Sequence, residues 1–382
     1  MQVPWRPDRN TILVLTKAKD NKLVLFTRQL VEWLIFTPRF GKNKPFIVFV
    51  DAHLKHAPLF GYNELKKQDS AWETHLKFWT PQFCYDSPDL FNLIITLGGD
   101  GTVLFTSSLF QSKVPPVVPF HLGSLGFLTP FLFTTYKEEL SRLFEGQLKS
   151  VQRMRLVCTV YRLKTENSSD LTDETAWMRS VFLGLKENMI SVPEQTHHVL
   201  NEVVVDRGPS ANMSLLELFS NNRHLTTVQA DGLCIATATG STAYSLSAGG
   251  SLTHPSMQST LITPISPHAL SFRPLVLPKE HTIRIVVPFG SRCTAFCSFD
   301  GRNRVELGHG DHIKITISPH PIETYCAHDA DHDWFTSIQT SLHWNVRQRQ
   351  KSFVTAPSIR NQNEFDLLPW SDQELKRHTS KL

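Results

Sequence analysis

The stretch that most constrains the fold is Leu93-Ile94-Ile95-Thr96-Leu97-Gly98-Gly99-Asp100-Gly101-Thr102-Val103-Leu104. Its apolar, β-branched start predicts a strand buried on both faces, as in a parallel sheet. The glycines that follow let the backbone turn sharply and bring bare N–H groups close to an anion at the start of the next helix. In open α/β sheets, ligands bind at the carboxyl end of such a strand. Asp100 is the unusual member of the turn, because a carboxylate repels a phosphate unless it contacts a metal or takes a proton from a nucleophile. The alternative role at this junction is an ordinary helix N-cap.

Upstream and downstream of this turn, strand and helix patterns alternate. Thr11 to Leu15 predicts a strand, Asn21 to about Phe36 a helix, Pro45 to Val50 a strand, Val117 to His121 another strand and Tyr136 to Phe144 a helix. That alternation predicts a Rossmann-like parallel α/β domain over residues 1–150. The stretch with Gly123 and Gly126 offers either a second ligand loop or a tight strand exit, and without a complete dinucleotide fingerprint the strand exit is the preferred reading. From Val151 the texture changes to short strand-like runs at 155–163, 200–206, 214–219, 224–229, 232–237, 282–288, 294–299 and 312–317. These predict a β-rich, sandwich-like domain over 151–330. Lys164 to Gln195 interrupts these runs with polar, acidic and Ser-rich sequence, part of which reads as a mobile surface loop. Asp333 reads as the cap of a last helix, Trp334 to about Gln350, spanning 331–351 and returning to the first domain. A loosely ordered tail, 352–382, follows.

Composition narrows the partners. At 382 residues with 41% hydrophobic and 19% charged, the chain reads as a globular protein with ample core. A net charge of +4 without a long basic block gives no support to nucleic-acid binding. No apolar run approaches the roughly 18 residues that span a bilayer. Met1 to Asn10 carries no secretory or mitochondrial presequence pattern. The six cysteines form no C-x-x-C pair and read as reduced thiols. His328, Asp329, Asp331, His332 and Asp333 resemble a metal cluster by composition. Their spacing fits no familiar ligand frame, so they read as a solvated loop capping the last helix, with no metal ligand assigned.

A longer series is more specific. Asn201-Glu202 precedes Val203-Val204-Val205-Asp206, Asp231-Gly232 follows, and then comes Thr239-Gly240-Ser241-Thr242-Ala243-Tyr244-Ser245-Leu246-Ser247. Further on stand His254-Pro255, Arg273-Pro274-Leu275 and Ser298-Phe299-Asp300-Gly301-Arg302. Singly, each has a plain explanation in turn, cap or hairpin chemistry. In this order the series resembles the NAD kinase family in its eukaryotic form, from the first strand through Trp344-Asn345-Val346-Arg347. The glycine turn alone is shared with lipid kinases.

The resemblance implies ATP-dependent phosphorylation of the adenosine-ribose 2′-hydroxyl of NAD, with NADH as a further substrate, to give NADP(H). Asp100 would be the catalytic base. Gly98, Gly99, Gly101 and Thr102 would contact phosphates, with Mg²⁺ bridging the donor's oxygens. Asn201 and Glu202 would meet the NAD nucleosides and Asp231 the nicotinamide carboxamide. Thr239, Thr242, Ala243, Tyr244 and Ser247 would wall the pocket, with Asp300 near the reacting centre. A homo-oligomer is implied as well. A catalytically silent NADP(H)-binding regulator is the alternative of another class, and a lipid kinase is a weaker one. Ala238 stands where the family carries proline, a departure expected to loosen that loop. Finally, Ser380-Lys381-Leu382 at the carboxyl end is a receptor-read address for the peroxisome matrix. Its partner would be the import receptor, and the cytoplasm is the alternative location.

Overall fold

Asp20 opens the first long helix, α1 (Asn21–Phe36), by accepting hydrogen bonds from the amides of Lys22 and Leu23. The helix buries Leu23, Val24, Thr27, Leu30, Val31, Leu34 and Ile35, a stripe at helical spacing, against the sheet beside it. The protein is described from a computed structural model over residues 10–16, 20–38, 45–165 and 189–346. The described residues up to Trp344 form one compact unit.

The first sheet is built from β1 (Thr11–Thr16), β2 (Ile47–Asp51), β3 (Leu76–Trp79), β4 (Leu93–Leu97), β5 (Val117–His121), β6 (Phe131–Leu132) and β7 (Ser150–Arg153). Between them lie α2 (Tyr62–Gln68), α3 (Ala71–His75), α4 (Pro81–Asp86), α5 (Asp100–Leu109) and α6 (Tyr136–Phe144). Strands β8 (Leu156–Thr165), β9 (Met189–Val199), β10 (Glu202–Asp206), β11 (Ser214–Ser220), β12 (Arg223–Ala230) and β13 (Gly232–Thr237) carry the chain into the second layer system. The short α7 (Tyr244–Ser247) precedes β14 (Ser259–Ile265), β15 (Leu275–Pro278), β16 (Ile283–Val286), β17 (Ala295–Phe299), β18 (Arg302–Leu307) and β19 (His312–Ile317). The chain then returns with β20 (Ile322–Tyr325) and closes on α8 (Ala330–Leu342).

The first sheet runs β3-β2-β1-β4-β5-β20-β7, with β6 attached to β5. All of its pairings are parallel except β20 with β7. The order reverses between β1 and β4, which places the glycine turn after β4 at the switch point where such sheets bind ligands. β4 is buried along its whole length, as its unbroken apolar sequence predicts. The second system is a sandwich of two six-stranded antiparallel sheets, β15-β14-β13-β10-β17-β18 and β12-β11-β16-β19-β8-β9. Val203, Val205 and Ile235 from one sheet and Leu216, Ile285 and Ile313 from the other fill a single core.

Several expectations change. Part of the polar loop expected at Lys164–Gln195 is strand: β9 pairs with β8 from Leu156↔Val199 to Thr165↔Met189. The ladder is held by backbone groups while its side chains are mostly polar, so no apolar alternation announces it. Residues 166–188 lie outside the described residues. The chain re-enters the first sheet at β20, earlier than the boundary at 330, because Thr324 pairs with both Val117 and Val151. The last helix covers Ala330–Leu342, and Asp329 is its cap, accepting from the His332 amide. Asp333 turns back to the amides of Ala327 and His328 instead. His343, in a left-handed conformation, ends the helix before the expected Gln350. The tail from 352, including Ser380-Lys381-Leu382, lies outside the described residues. All six cysteines are free, and no described helix is long and apolar enough to cross a membrane.

Candidate active site

The turn after β4 is tight because Gly98 sits against Thr102, where a methyl group would overlap the Thr102 hydroxyl. Gly99 precedes the first residue of α5 with no side chain of its own to cap it. Asp100 therefore enters the helix with its carboxylate free to face another segment, the loop after β5. Phe127 donates its backbone N–H to Asp100 Oδ2 at 2.9 Å and Leu128 donates to Oδ1 at 2.9 Å. The Thr129 hydroxyl donates to Oδ1 at 3.2 Å. A carboxylate offers about four lone-pair sites, so one acceptor position remains, on Oδ2. Gly126 makes this grip possible, since a methyl there would run into the Asp100 carboxylate and the Thr129 hydroxyl. Asp100 is a held carboxylate rather than a side-chain cap.

The loop is braced from behind. Ser337 and Ser341 of α8 donate to the carbonyls of Gly126 and Leu125 at 3.1 and 3.3 Å. Trp334, on the same helix, packs edge-on against His254 with ring centroids 4.9 Å apart. In front, Gly98, Gly99, Gly123 and Ser124 join Asp20 and Lys22 around an open cleft of about 320 Å³. Gly123 and Ser124, for which the sequence prefers a tight strand exit over a second ligand loop, thus belong to a ligand-sized cleft. Thr102 does not reach it, being buried with its hydroxyl at Gly98, and Gly101 lies outside the cleft lining.

The sandwich supplies the second half. Asp300 and Gly301 both have positive φ, 48° and 70°, as a two-residue hairpin loop requires. This points the Asp300 carboxylate inward, where it is 9% exposed. It accepts the amides of Leu200 (2.8 Å), Asn201 (2.8 Å) and Glu202 (3.1 Å). Asp300 therefore shapes the Asn201-Glu202 segment through its backbone. The two side chains so positioned are buried and unsatisfied: Asn201 Oδ1 and Glu202 Oε2 have no hydrogen-bond partner. Buried polar atoms are paired in the great majority of cases, so two adjacent orphans mark a place for a ligand. Burial, then the Asp300 charge, raises the Glu202 carboxyl from 4.5 to about 7, against a lowering hydrogen bond from the Tyr244 backbone.

The Thr239–Thr242 turn closes over this segment. Gly240 lies on the Asn201 carbonyl so closely that any side chain would overlap backbone atoms. Thr237 Oγ1 accepts from the Gly240 amide at 3.0 Å and donates to Leu200 O at 2.6 Å. Ala238 has φ −58°, the value proline would impose, and the turn is pinned despite its absence. Thr239 is buried, Thr242 and Ala243 are half-buried, and Tyr244 and Ser247 are exposed on the short α7. Asp231 makes an ion pair with Arg207 at 2.8 Å, and Arg207 also donates to Ser210 O, a pairing the sequence pattern did not signal.

The two halves meet through α5. Leu200 shares an apolar cluster with Val103 and Leu128, and Arg302 lies over the Phe105 ring at 5.4 Å. At the far end of α5, fully buried Arg155 donates to the carbonyls of Ser107, Phe110, Ser112 and His320. Burial lowers its guanidinium to about 10, with Asp300 opposing the shift. Sequence reasoning missed Gly126, Thr129 and Arg155. Each acts on a partner distant in sequence, and no local pattern records that.

Comparison with known proteins follows the same division. The family model described as the ATP-NAD kinase N-terminal domain matches residues 12–148, and the C-terminal domain model matches 200–326. The chain is 43% identical over 359 residues to the NAD(+) kinase of Saccharomyces cerevisiae, covering 94% of this chain and 64% of that protein. It is 42% identical over 356 residues to the ATP-NADH kinase YEF1 of the same yeast, covering 93% of this chain and 68% of that one. It thus spans about two thirds of the length of these curated relatives. Among solved structures, yeast NADH kinase complexed with NADH aligns with a TM-score of 0.66 at 28% identity, over 92% of this chain and 91% of that one. An NAD kinase from Archaeoglobus fulgidus in complex with ATP shares the fold, with a TM-score of 0.52 at 21% identity over 73% of this chain and 95% of that one.

Proposed function

The chain belongs to the ATP-NAD kinase family, and we propose that it transfers the γ-phosphoryl group of ATP to the 2′-hydroxyl of the adenosine ribose of NAD(H), giving NADP(H) and ADP. The observation that carries this reading is the pair of buried, unpartnered acceptors Asn201 Oδ1 and Glu202 Oε2, next in sequence to Leu200, which packs in one apolar cluster with Val103 of α5 and with Leu128, whose amide holds the Asp100 carboxylate. Glu202 accepts from ribose hydroxyls, and the Asn201 amide both accepts and donates, as a nucleoside edge requires. The remaining lone pair of Asp100 Oδ2 takes the hydroxyl proton while the new oxygen–phosphorus bond forms and the bond from Pγ to the ADP oxygen breaks. Tyr244 and Ser247 stay open to solvent, as a wall that a substrate covers does, and Asp231, ion-paired with Arg207, would meet the carboxamide.

The donor's phosphates fit the cleft of Gly98, Gly99, Gly123, Ser124 and Lys22. Asp20 is the one carboxylate among the described residues lining it, and Asp20 is committed to capping α1. That donor set suits a magnesium ion that arrives on the nucleotide rather than one held by protein ligands. When bound, the ion neutralises charge on the β and γ oxygens.

The test is NADP(H) formation with Mg-ATP, offering NAD and NADH in parallel, for the wild type and Asp100→Asn. Turnover should fall by roughly 10²–10⁴-fold in the variant while NAD binding by calorimetry persists. Tight NADP binding without turnover in the wild type would favour the regulator. Self-association is supported by exposed Leu275 and Val276 on the edge strand β15 and by Leu270, 92% exposed. Light scattering would measure it. Import into peroxisomes rests on Ser380-Lys381-Leu382, and loss of punctate fluorescence on deleting those residues from an amino-terminal fluorescent fusion is the result expected.

A further inference from the structure

The loop before α8 reads in the sequence as a solvated cap, and the structure divides its side chains. Asp329 is used as the helix cap, with its other oxygen 3.6 Å from Lys149 Nζ. Asp331 turns to His254, its Oδ1 lying 3.1 Å from the ring Nε2. The other three converge: one ligand atom each from His328, His332 and Asp333 lies within 4.8 Å of the others. Asp333 Oδ1 stands 3.5 Å from His328 Nδ1 and 3.8 Å from His332 Nδ1.

We propose that His328, His332 and Asp333 form a binding site for a divalent cation of the zinc class, separate from the nucleotide cleft. Zinc is held by imidazole nitrogen and carboxylate oxygen at about 2.0–2.2 Å in a tetrahedron, so its ligand atoms stand roughly 3.3–3.5 Å apart. Two of the three separations are near that value already, and rotating exposed imidazoles closes the third. The carboxylate is pre-oriented. Its oxygens accept the Ala327 amide at 2.8 Å and the His328 amide at 3.2 Å, and the side chain is 13% exposed. Ligating carboxylates fixed by such outer hydrogen bonds are a regular feature of metal sites.

Charge has to be weighed, because a helix N-terminus attracts anions. Three aspartates at 329, 331 and 333 surround this one and reverse the local sign, with Lys149 paired to one of them. Two imidazoles with one carboxylate suit zinc, cobalt or nickel, whereas magnesium and calcium require oxygen donors throughout. Solvent completes the fourth position. The cation would tie His328, which lies before the helix, to the first turn of α8, the helix whose Ser337 and Ser341 brace the loop holding Asp100.

The experiment is titration of the full chain with Co²⁺ and then Zn²⁺. Visible absorption and calorimetry report binding, and thermal melting reports stabilisation. In the wild type one equivalent of Co²⁺ should give the bands of a four-coordinate ion and be displaced by one equivalent of Zn²⁺, which raises the melting temperature. His328→Ala and His332→Ala should each weaken that equivalent at least about tenfold, and the double variant should lose both it and the melting shift. Both histidines are exposed and neither lies in the nucleotide site, so the variants keep their fold and their NADP(H) formation. Unchanged stoichiometry and affinity in the double variant, or a wild type that binds no equivalent, would overturn the proposal.

Discussion

Asp300 shows how a buried charge can shape a site through the backbone. Its carboxylate holds three consecutive amides, and its left-handed backbone is one that asparagine adopts at least as readily. Asp300→Asn therefore keeps the turn but offers one acceptor oxygen in place of two. NAD affinity should fall, and denaturant unfolding should show a loss of about 1–3 kcal/mol. Glu202 gives a pH prediction of definite sign. Between 4.5 and about 7 the unfolded chain has lost this proton and the native chain keeps it, so stability declines as pH rises through that window. The ionised form is the acceptor for ribose, so NAD affinity should climb up to about pH 7 and level off above it. Glu202→Gln should flatten both profiles in melting and calorimetry. At this scale the sequence was legible where residues come in ordered blocks. Asn201-Glu202, Asp231 and Thr239 to Ser247 are found around one region, whereas the placement of Thr102 away from the cleft followed only from how tightly Gly98 closes on it.

The elements of the site are held by close backbone approaches. Gly126→Ala forces the 126–129 loop off Asp100. Because an ångström of misplacement costs on the order of 10²-fold in rate, kcat should drop by about that much while the melting temperature moves little. The turn after β13 offers the opposite change. Ala238 already has a proline-like φ, and extended Thr237 precedes it, so Ala238→Pro should stabilise the chain by about 0.4–1 kcal/mol, measured by urea unfolding. Strands with apolar runs, such as β4 and β13, are readable in sequence because burial on both faces writes them in one alphabet. β9 and β18 were missed because their exposed residues carry no such signal. The start of α8 was misplaced because Asp329, Asp331 and Asp333 are all competent caps and only packing chooses among them.

Across the whole molecule, Arg155 joins the end of α5 to the segment entering β20. Arg155→Met should leave four carbonyls without their donor and cost about 3 kcal/mol in denaturant unfolding, with NADP(H) formation falling as α5 loosens. The class of fold was legible from alternating and then purely strand-like runs. The return of Ile322–Tyr325 to the first sheet was not, since four residues are too few for a periodicity to show. That return sets an order of events during synthesis. The amino-terminal half leaves the ribosome with Ser150–Arg153 lacking its neighbour in the sheet, since its one partner there among the described residues is a strand made after the entire sandwich. Until then a sheet edge stands open to other chains. A nascent chain arrested anywhere between 154 and 321 is thus the form most exposed to clumping and most in need of a chaperone.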